Sequence, residues 1–568
     1  MARFRILALS LALALVALPL PAVSPPALHG SGGAVATDEP LATAVGVELL
    51  KQGGNAVDAA VGTALALAVT YPEAGNLGGG GFALVRTAGG ELAALDFREV
   101  GPAGAQARMY LDEHGEPIPK ASLRGPLATG VPGSPAGLYE LHHRFGRLAW
   151  KSVVEPARKL AAEGYRVSFH LAGYLVEERA QIEPFAESAR VFLPGGKPLE
   201  HGALLRQPEL AATLAAYAAR GPKAIQEGPL AQQVEEASRR YGGILTAADL
   251  AAYQPQWRKP LEFSFGSWQA ASMPLPSAGG LILALTEEIL RRIERDGPGP
   301  RFGAERDHAL TEAMKRSYAV RYLLGDPATS LLDPGQALAA PYVGRLALSF
   351  DRERATPAAE LAQGEPGREP NATTHLSVID AEGNMVALTT TLNGLFGCGL
   401  YVPGLGFLNN EMDDFTTAPG RPNDFGLIQG DANAVRPGKR MLSSMTPTIA
   451  WSGPEALVLG GRGGSRISSA VLQVLLDVIQ DGDSLQAALD RPRLHHQWQP
   501  DVLEVEDAAL SPETARELER RGHRIVPSKP SEKSRVNAVR RLADGTLEAA
   551  VDPRGTGKAG VVTELAPR

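Results

Sequence analysis

Residues 41–52 and 56–70 are apolar almost without interruption and read as two Ala-rich helices. Gly53 and Gly54 stop the first, and Asn55 is the expected N-cap of the second. Helices apolar on every side belong inside a core. A glycine cluster, Gly75 and Gly78 to Gly81, leads into residues 82–86 and 91–97, which read as a hairpin turning at Gly89 and Gly90. Amphipathic helices are expected over 136–144, 151–163, 210–220, 281–296 and 304–324, where apolar residues recur every three to four positions. Residues 30–33 read as a glycine-rich linker ahead of all of them.

The pattern changes at 355–372, which is polar, rich in turn residues and without a sustained apolar face, so an exposed loop is expected. Runs 374–379 and 385–392 follow as strands joined by a short hairpin connection. Further strands are expected at 446–451, 456–459, 536–542 and 546–551, with helices at 467–480 and 512–521. The chain is therefore helix-rich in its first two-thirds and strand-richer in its last, an α+β pattern with no repeat of solenoid length.

Composition narrows the chemistry. With 568 residues, 44% hydrophobic and 21% charged, the chain is large enough for several domains or one large α/β body. Its net charge of −7, without a long single-sign block, argues against a nucleic-acid surface. A single cysteine, Cys398, excludes intramolecular disulfides and thiolate zinc clusters. Arg3 and Arg5 precede an apolar run over 6–20 and a small-residue tract at 21–24, the shape of an export signal. The run is shorter than the ~20 residues of a spanning helix, so removal is preferred over a retained anchor. A signal over 1–24 implies a periplasmic or extracellular protein. The pairs His142–His143 and His495–His496 are read as solvated or hydrogen-bonded, not metal-ligating, because adjacent side chains point to different faces. Phosphate-loop, zinc-helix and nucleophile-elbow motifs are absent.

The informative junction lies between the polar loop and the strand, at Asn371-Ala-Thr373-Thr-His375. A threonine hydroxyl is a weak nucleophile, but a chain cut before it frees an α-amine that serves as its base. Such an amine titrates near ~8 and needs no histidine partner. On pattern alone, a threonine after a loop is more often simply the first residue of a strand.

The segment 373–393, together with blocks at 51–60, 75–82, 96–99, 130–133, 408–415, 442–448 and Gly460-Gly-Arg-Gly-Gly-Ser-Arg466, resembles the gamma-glutamyltransferases of the N-terminal-nucleophile hydrolase superfamily. The blocks occur in order along almost the whole chain, and together they are highly specific. The resemblance implies a four-layer αββα fold whose large subunit, 25–372, and small subunit, 373–568, are interlaced. It implies a precursor cut between Ala372 and Thr373, after which Thr373 takes the γ-glutamyl group of glutathione or a related compound and passes it to water or to an amino-acid or peptide amine. Thr391 then matches the supporting threonine, and Gly463 and Gly464 the oxyanion-hole pair. Arg98, Ser443 and Ser444 match the positions that bind the substrate's α-carboxylate, and Asn393, Glu411 and Asp414 those that hold its α-ammonium. Residues 419–430 resemble a lid found in some members, with Phe425 where tyrosine is common. No metal or organic cofactor is implied. Two alternatives stand beside this reading: a glutaryl or cephalosporin acylase, and an unprocessed exported protein that binds γ-glutamyl compounds.

Overall fold

The computed structural model describes residues 24–295, 297–361, 372–424, 426–529 and 533–563. Residues 1–23 of the expected signal and Phe425 of the expected lid lie outside them.

Two seven-stranded antiparallel sheets form the centre. The first runs, in spatial order, Lys558–Val562, Gly33–Thr37, Ala372–Asp380, Met385–Asn393, Gly80–Arg86, Leu92–Phe97, Gln256–Arg258. The second runs Leu28–Gly30, Leu547–Val551, Arg535–Arg541, Glu455–Arg462, Thr448–Ser452, Trp268–Ser272, Leu261–Phe265. Each sheet mixes strands from before and after Thr373, so neither side of that junction owns a sheet. The expected linker at 30–33 is instead the end of one strand, a turn and the start of another; its glycines allow the close approach of Val562.

Strand alternation builds the layers. Val35, Ala83, Val85, Val386 and Leu388 face the helices Pro40–Lys51, Ala56–Thr70 and Trp150–Glu163. Ala34, Ala36, Phe82, Leu84 and Ala387 face the second sheet, whose far side carries Gly279–Ile293, Ala304–Val320 and Ile467–Leu475. This is the four-layer αββα arrangement. Every residue of Ala56–Thr70 is buried, and Asn55 caps it by accepting from the Val57 and Asp58 amides while Asp58 returns a bond to the Asn55 amide.

Helix Ala304–Val320 differs from its expected amphipathic form. Glu312, Lys315 and Arg316 are all buried, with Glu312 paired to Arg316 at 2.5 Å and to Lys315 at 3.1 Å. Lys315 and Arg316 also bond Thr356, at 2.6 and 2.9 Å. The start of the expected exposed loop is thus buried: Ala355, Thr356 and Ala358 are tied down, and the Ala358 amide bonds Asp501 at 2.7 Å. Residues 362–371 of that loop lie outside the described ones.

His142 bonds the Leu148 carbonyl, His495 bonds Ser469 and Gln497, and His496 faces Asp501; these three are buried rather than solvated. Among the described residues no group of His, Cys, Asp and Glu is placed to hold a metal, and no helix is long and apolar enough to cross a membrane.

Candidate active site

Strand Ala372–Asp380 carries Thr373 in the middle of the first sheet, where Thr373 pairs with Thr391 and Ala372 with Asn393. The register shifts between Ala372 and Thr373, so the expected cleavage bond sits at a break in the ladder. Thr373 is 6% exposed, and its hydroxyl donates to Thr391 Oγ1 at 3.3 Å. Thr391 Oγ1 accepts in turn from the Asn393 amide at 2.8 Å. The glycine cluster explains itself here. A Cβ on Gly79 would stand 2.2 Å from the Thr391 carbonyl oxygen, and one on Gly81 equally close to that of Thr389. Asn76 donates to the same Thr391 carbonyl at 2.8 Å, so Thr391 is held from both sides.

Thr373 opens on a narrow cleft lined by Arg98, Thr391, Asn393, Asp414, Ser443, Ser444 and Gly464, among others. These residues arrive from distant segments. Arg98 follows strand Leu92–Phe97, Asp414 closes the short turn Glu411–Asp414, and Gly464 opens the turn before helix Ile467–Leu475. Gly463, at φ 134°, packs against Ser534, whose hydroxyl bonds the Arg462 carbonyl at 2.6 Å; Gly464, at φ 54°, faces the cleft. Both conformations favour glycine. Asn393, at φ 70°, is a left-handed position that asparagine tolerates.

Two groups expected to bind opposite ends of a substrate meet directly. Arg98, 1% exposed, places Nη1 2.7 Å from Glu411, Nη2 2.5 Å from Asp414, and Nη1 3.5 Å from Glu99. Burial pushes Glu411 well above the usual carboxylate range, with Arg98 and a hydrogen bond from Thr391 opposing it. Burial likewise raises Asp414, against Arg98 and Arg321, and raises Glu99 to about 7. Asn393 and Asp414 line the cleft, whereas Glu411 is fully buried against Arg98 and Thr391. All the expected site residues described here thus gather around Thr373. The sequence reading missed Arg321, which bonds the Ser443 carbonyl, and Tyr318, which bonds that of Ser465.

The region 42–562 matches the family described as Gamma-glutamyltranspeptidase. The chain belongs to the gamma-glutamyltranspeptidase family. It is similar to the glutathione hydrolase proenzyme of Escherichia coli K12, at 42% identity over 529 residues, covering 92% of this chain and 90% of that one. Among solved structures it resembles a cephalosporin acylase from Bacillus halodurans, with a TM-score of 0.83, 27% identity and coverage of 97% and 99% of the two chains. It also resembles the gamma-glutamyltranspeptidase of Helicobacter pylori, with a TM-score of 0.55 and 35% identity over 57% of this chain and 94% of that one. The gamma-glutamyltranspeptidase fold is thus shared with an acylase, and the lining of the cleft has to separate the two chemistries.

Proposed function

We propose that this family member is a self-processing γ-glutamyl hydrolase and transpeptidase, with glutathione as its leading donor. The observation that carries the reading is the Thr373 hydroxyl, held by Thr391 at the mouth of a cleft that pairs Arg98 with Glu411 and Asp414. In the uncut chain the Thr373 hydroxyl attacks the Ala372 carbonyl, the peptide becomes an ester, and water opens it. That step frees the Thr373 α-amine, whose pKa near ~8 suits it to take the hydroxyl proton. The hydroxyl oxygen then attacks the γ-carbonyl of the donor. Backbone N–H groups of the Gly463–Gly464 turn stabilise the oxyanion, and the amine returns its proton to the departing amine. Water on the resulting ester gives glutamate; an amino-acid or peptide amine gives a new γ-glutamyl amide.

The far end of the donor is a zwitterion, and so is the cleft. Its α-carboxylate replaces acidic partners on Arg98, with Ser443 and Ser444 donating, while its α-ammonium goes to Asn393 and Asp414, with Glu411 behind them. The exchange brings a new partner for each pairing it breaks at Arg98 and Asp414. A glutaryl group carries only the carboxylate; it would occupy Arg98 and leave Glu411 and Asp414 with less counter-charge in a buried site, which costs several kcal/mol. This disfavours the acylase reading. The test is kcat/KM for γ-glutamyl and glutaryl anilides. A preference of roughly a hundredfold or more for γ-glutamyl is expected; faster release from the glutaryl anilide would make the chain an acylase.

We place the mature enzyme outside the cytoplasm, with residues 1–24 removed. Cys398 suits an oxidising compartment, since it is buried and its thiol is pushed up to about 11.

A further inference from the structure

Helix Ala304–Val320 and the turn Arg321–Leu323 that extends it reach the cleft from the part of the chain before Thr373. Tyr318 donates its hydroxyl to the Ser465 carbonyl, next to Gly464. Arg321 Nη1 donates to the Ser443 carbonyl at 3.1 Å. Residues three apart share one face of a helix, so one helical end holds both walls of the cleft. Arg321 is 2% exposed, and its Nε and Nη2 have no hydrogen-bond partner among the described residues. A guanidinium buried with most of its donors unmatched is costly unless a charge compensates it. Burial pulls Arg321 down to about 10, and the charge that opposes this most is Asp414.

The charges around Asp414 show what that second cation does. Asp414 pairs with Arg98 and feels the charge of Arg321, which is anchored next to the cleft on the Ser443 carbonyl, with Glu411, Glu99 and Asp413 as neighbouring acids. Arg98 bridges Glu99, Glu411 and Asp414 at once. When a donor carboxylate takes Arg98, Arg321 is the protein cation left to keep Asp414 ionised for the donor's ammonium.

We propose that Arg321 is a positioning residue for the amino-acid end of the γ-glutamyl group. Through the Ser443 carbonyl it holds the serine pair that receives the α-carboxylate, and it supplies the charge that Asp414 retains when Arg98 turns to the substrate. This rests on the γ-glutamyl reading above.

The test is the pH dependence of kcat/KM for γ-glutamyl and glutaryl anilides in wild type, Arg321→Gln and Arg321→Lys, with cleavage into two fragments as the check of folding. In Arg321→Gln the loss of a positive charge makes Asp414 easier to protonate. The acid limb for the γ-glutamyl anilide should therefore move up by about one pH unit, KM should rise roughly tenfold, and the glutaryl limb should stay put, because that substrate has no ammonium for Asp414 to meet. Arg321→Lys keeps the charge and loses the planar fork, so its limb should stay at the wild-type position while KM rises about two- to fivefold. An unmoved limb in Arg321→Gln, or an equal shift with both anilides, would overturn the inference. If Arg321→Gln does not mature, Arg321→Lys decides alone: a displaced limb or a wild-type KM overturns the proposal. A wild type that matures but releases no γ-glutamyl anilide is a different failure, which removes the function reading itself.

Discussion

Helix Ala56–Thr70 lies buried against a central sheet and helix Ala304–Val320 lies buried against helix Gly279–Ile293, and the two are stabilised in opposite ways. The first is apolar apart from Asp58, Thr63 and Thr70 and is capped by Asn55; its burial is written in its residues. The second buries Glu312, Lys315 and Arg316, residue types that ordinarily mark a solvated face. Apolar packing tolerates any neighbour of suitable volume, whereas a buried charge constrains its partners' identity and distance. The charged helix, with the turn Arg321–Leu323 that extends it, also holds Thr356 and the cleft walls at Ser443 and Ser465. In this protein, hydrophobic burial builds the layers and buried charge aligns the segments that must meet at Thr373.

The largest expected effect tests the charged helix. Glu312→Gln leaves Lys315 and Arg316 without their shared anion and should cost roughly 3–5 kcal/mol in denaturant unfolding; a loss below about 1 would show that the network is dispensable. The same carboxylate predicts acid lability. Its folded pKa lies at about 2 against an ordinary 4.5, so its contribution is complete above about pH 4.5 and is lost as the pH falls from there through about 2. That contribution is on the order of 3 kcal/mol.

Leu65→Ala in the apolar helix should cost roughly 2–5 kcal/mol through the cavity it opens, and the cost should be the same at pH 4 and pH 7. A pH-dependent Leu65→Ala would blur the distinction between the two helices. Asn55→Ala removes the cap and a 2.6 Å bond to the Phe145 carbonyl but no core side chain, and should cost about 1–2 kcal/mol, read from the same unfolding curves.

The same contrast decides what was legible in the sequence. Helix 56–70, its cap and the 374–379 and 385–392 hairpin follow local rules, and the structure extends them by a residue or two at most. Strands Gly33–Thr37 and Lys558–Val562 were not legible, being short and fringed with glycine; their partners lie far along the chain. The glycines at 78–81 were visible as a cluster, but their reason, the carbonyls of Thr389 and Thr391, appears only once the sheet is paired. The cleft itself was read by family resemblance, residue by residue. Arg321 and Tyr318 fell outside it because their partners are 122 and 147 residues away and their own surroundings in sequence carry no signal.

The central claim is that Thr373 becomes a nucleophile by cutting the chain in front of itself. The most direct measurement is the intact mass of purified wild type and Thr373→Ala, with γ-glutamyl anilide release assayed on the same samples. The account predicts two fragments divided between Ala372 and Thr373 and activity in wild type, and one uncut, inactive chain in Thr373→Ala. A single uncut wild-type chain that still releases the anilide would contradict it.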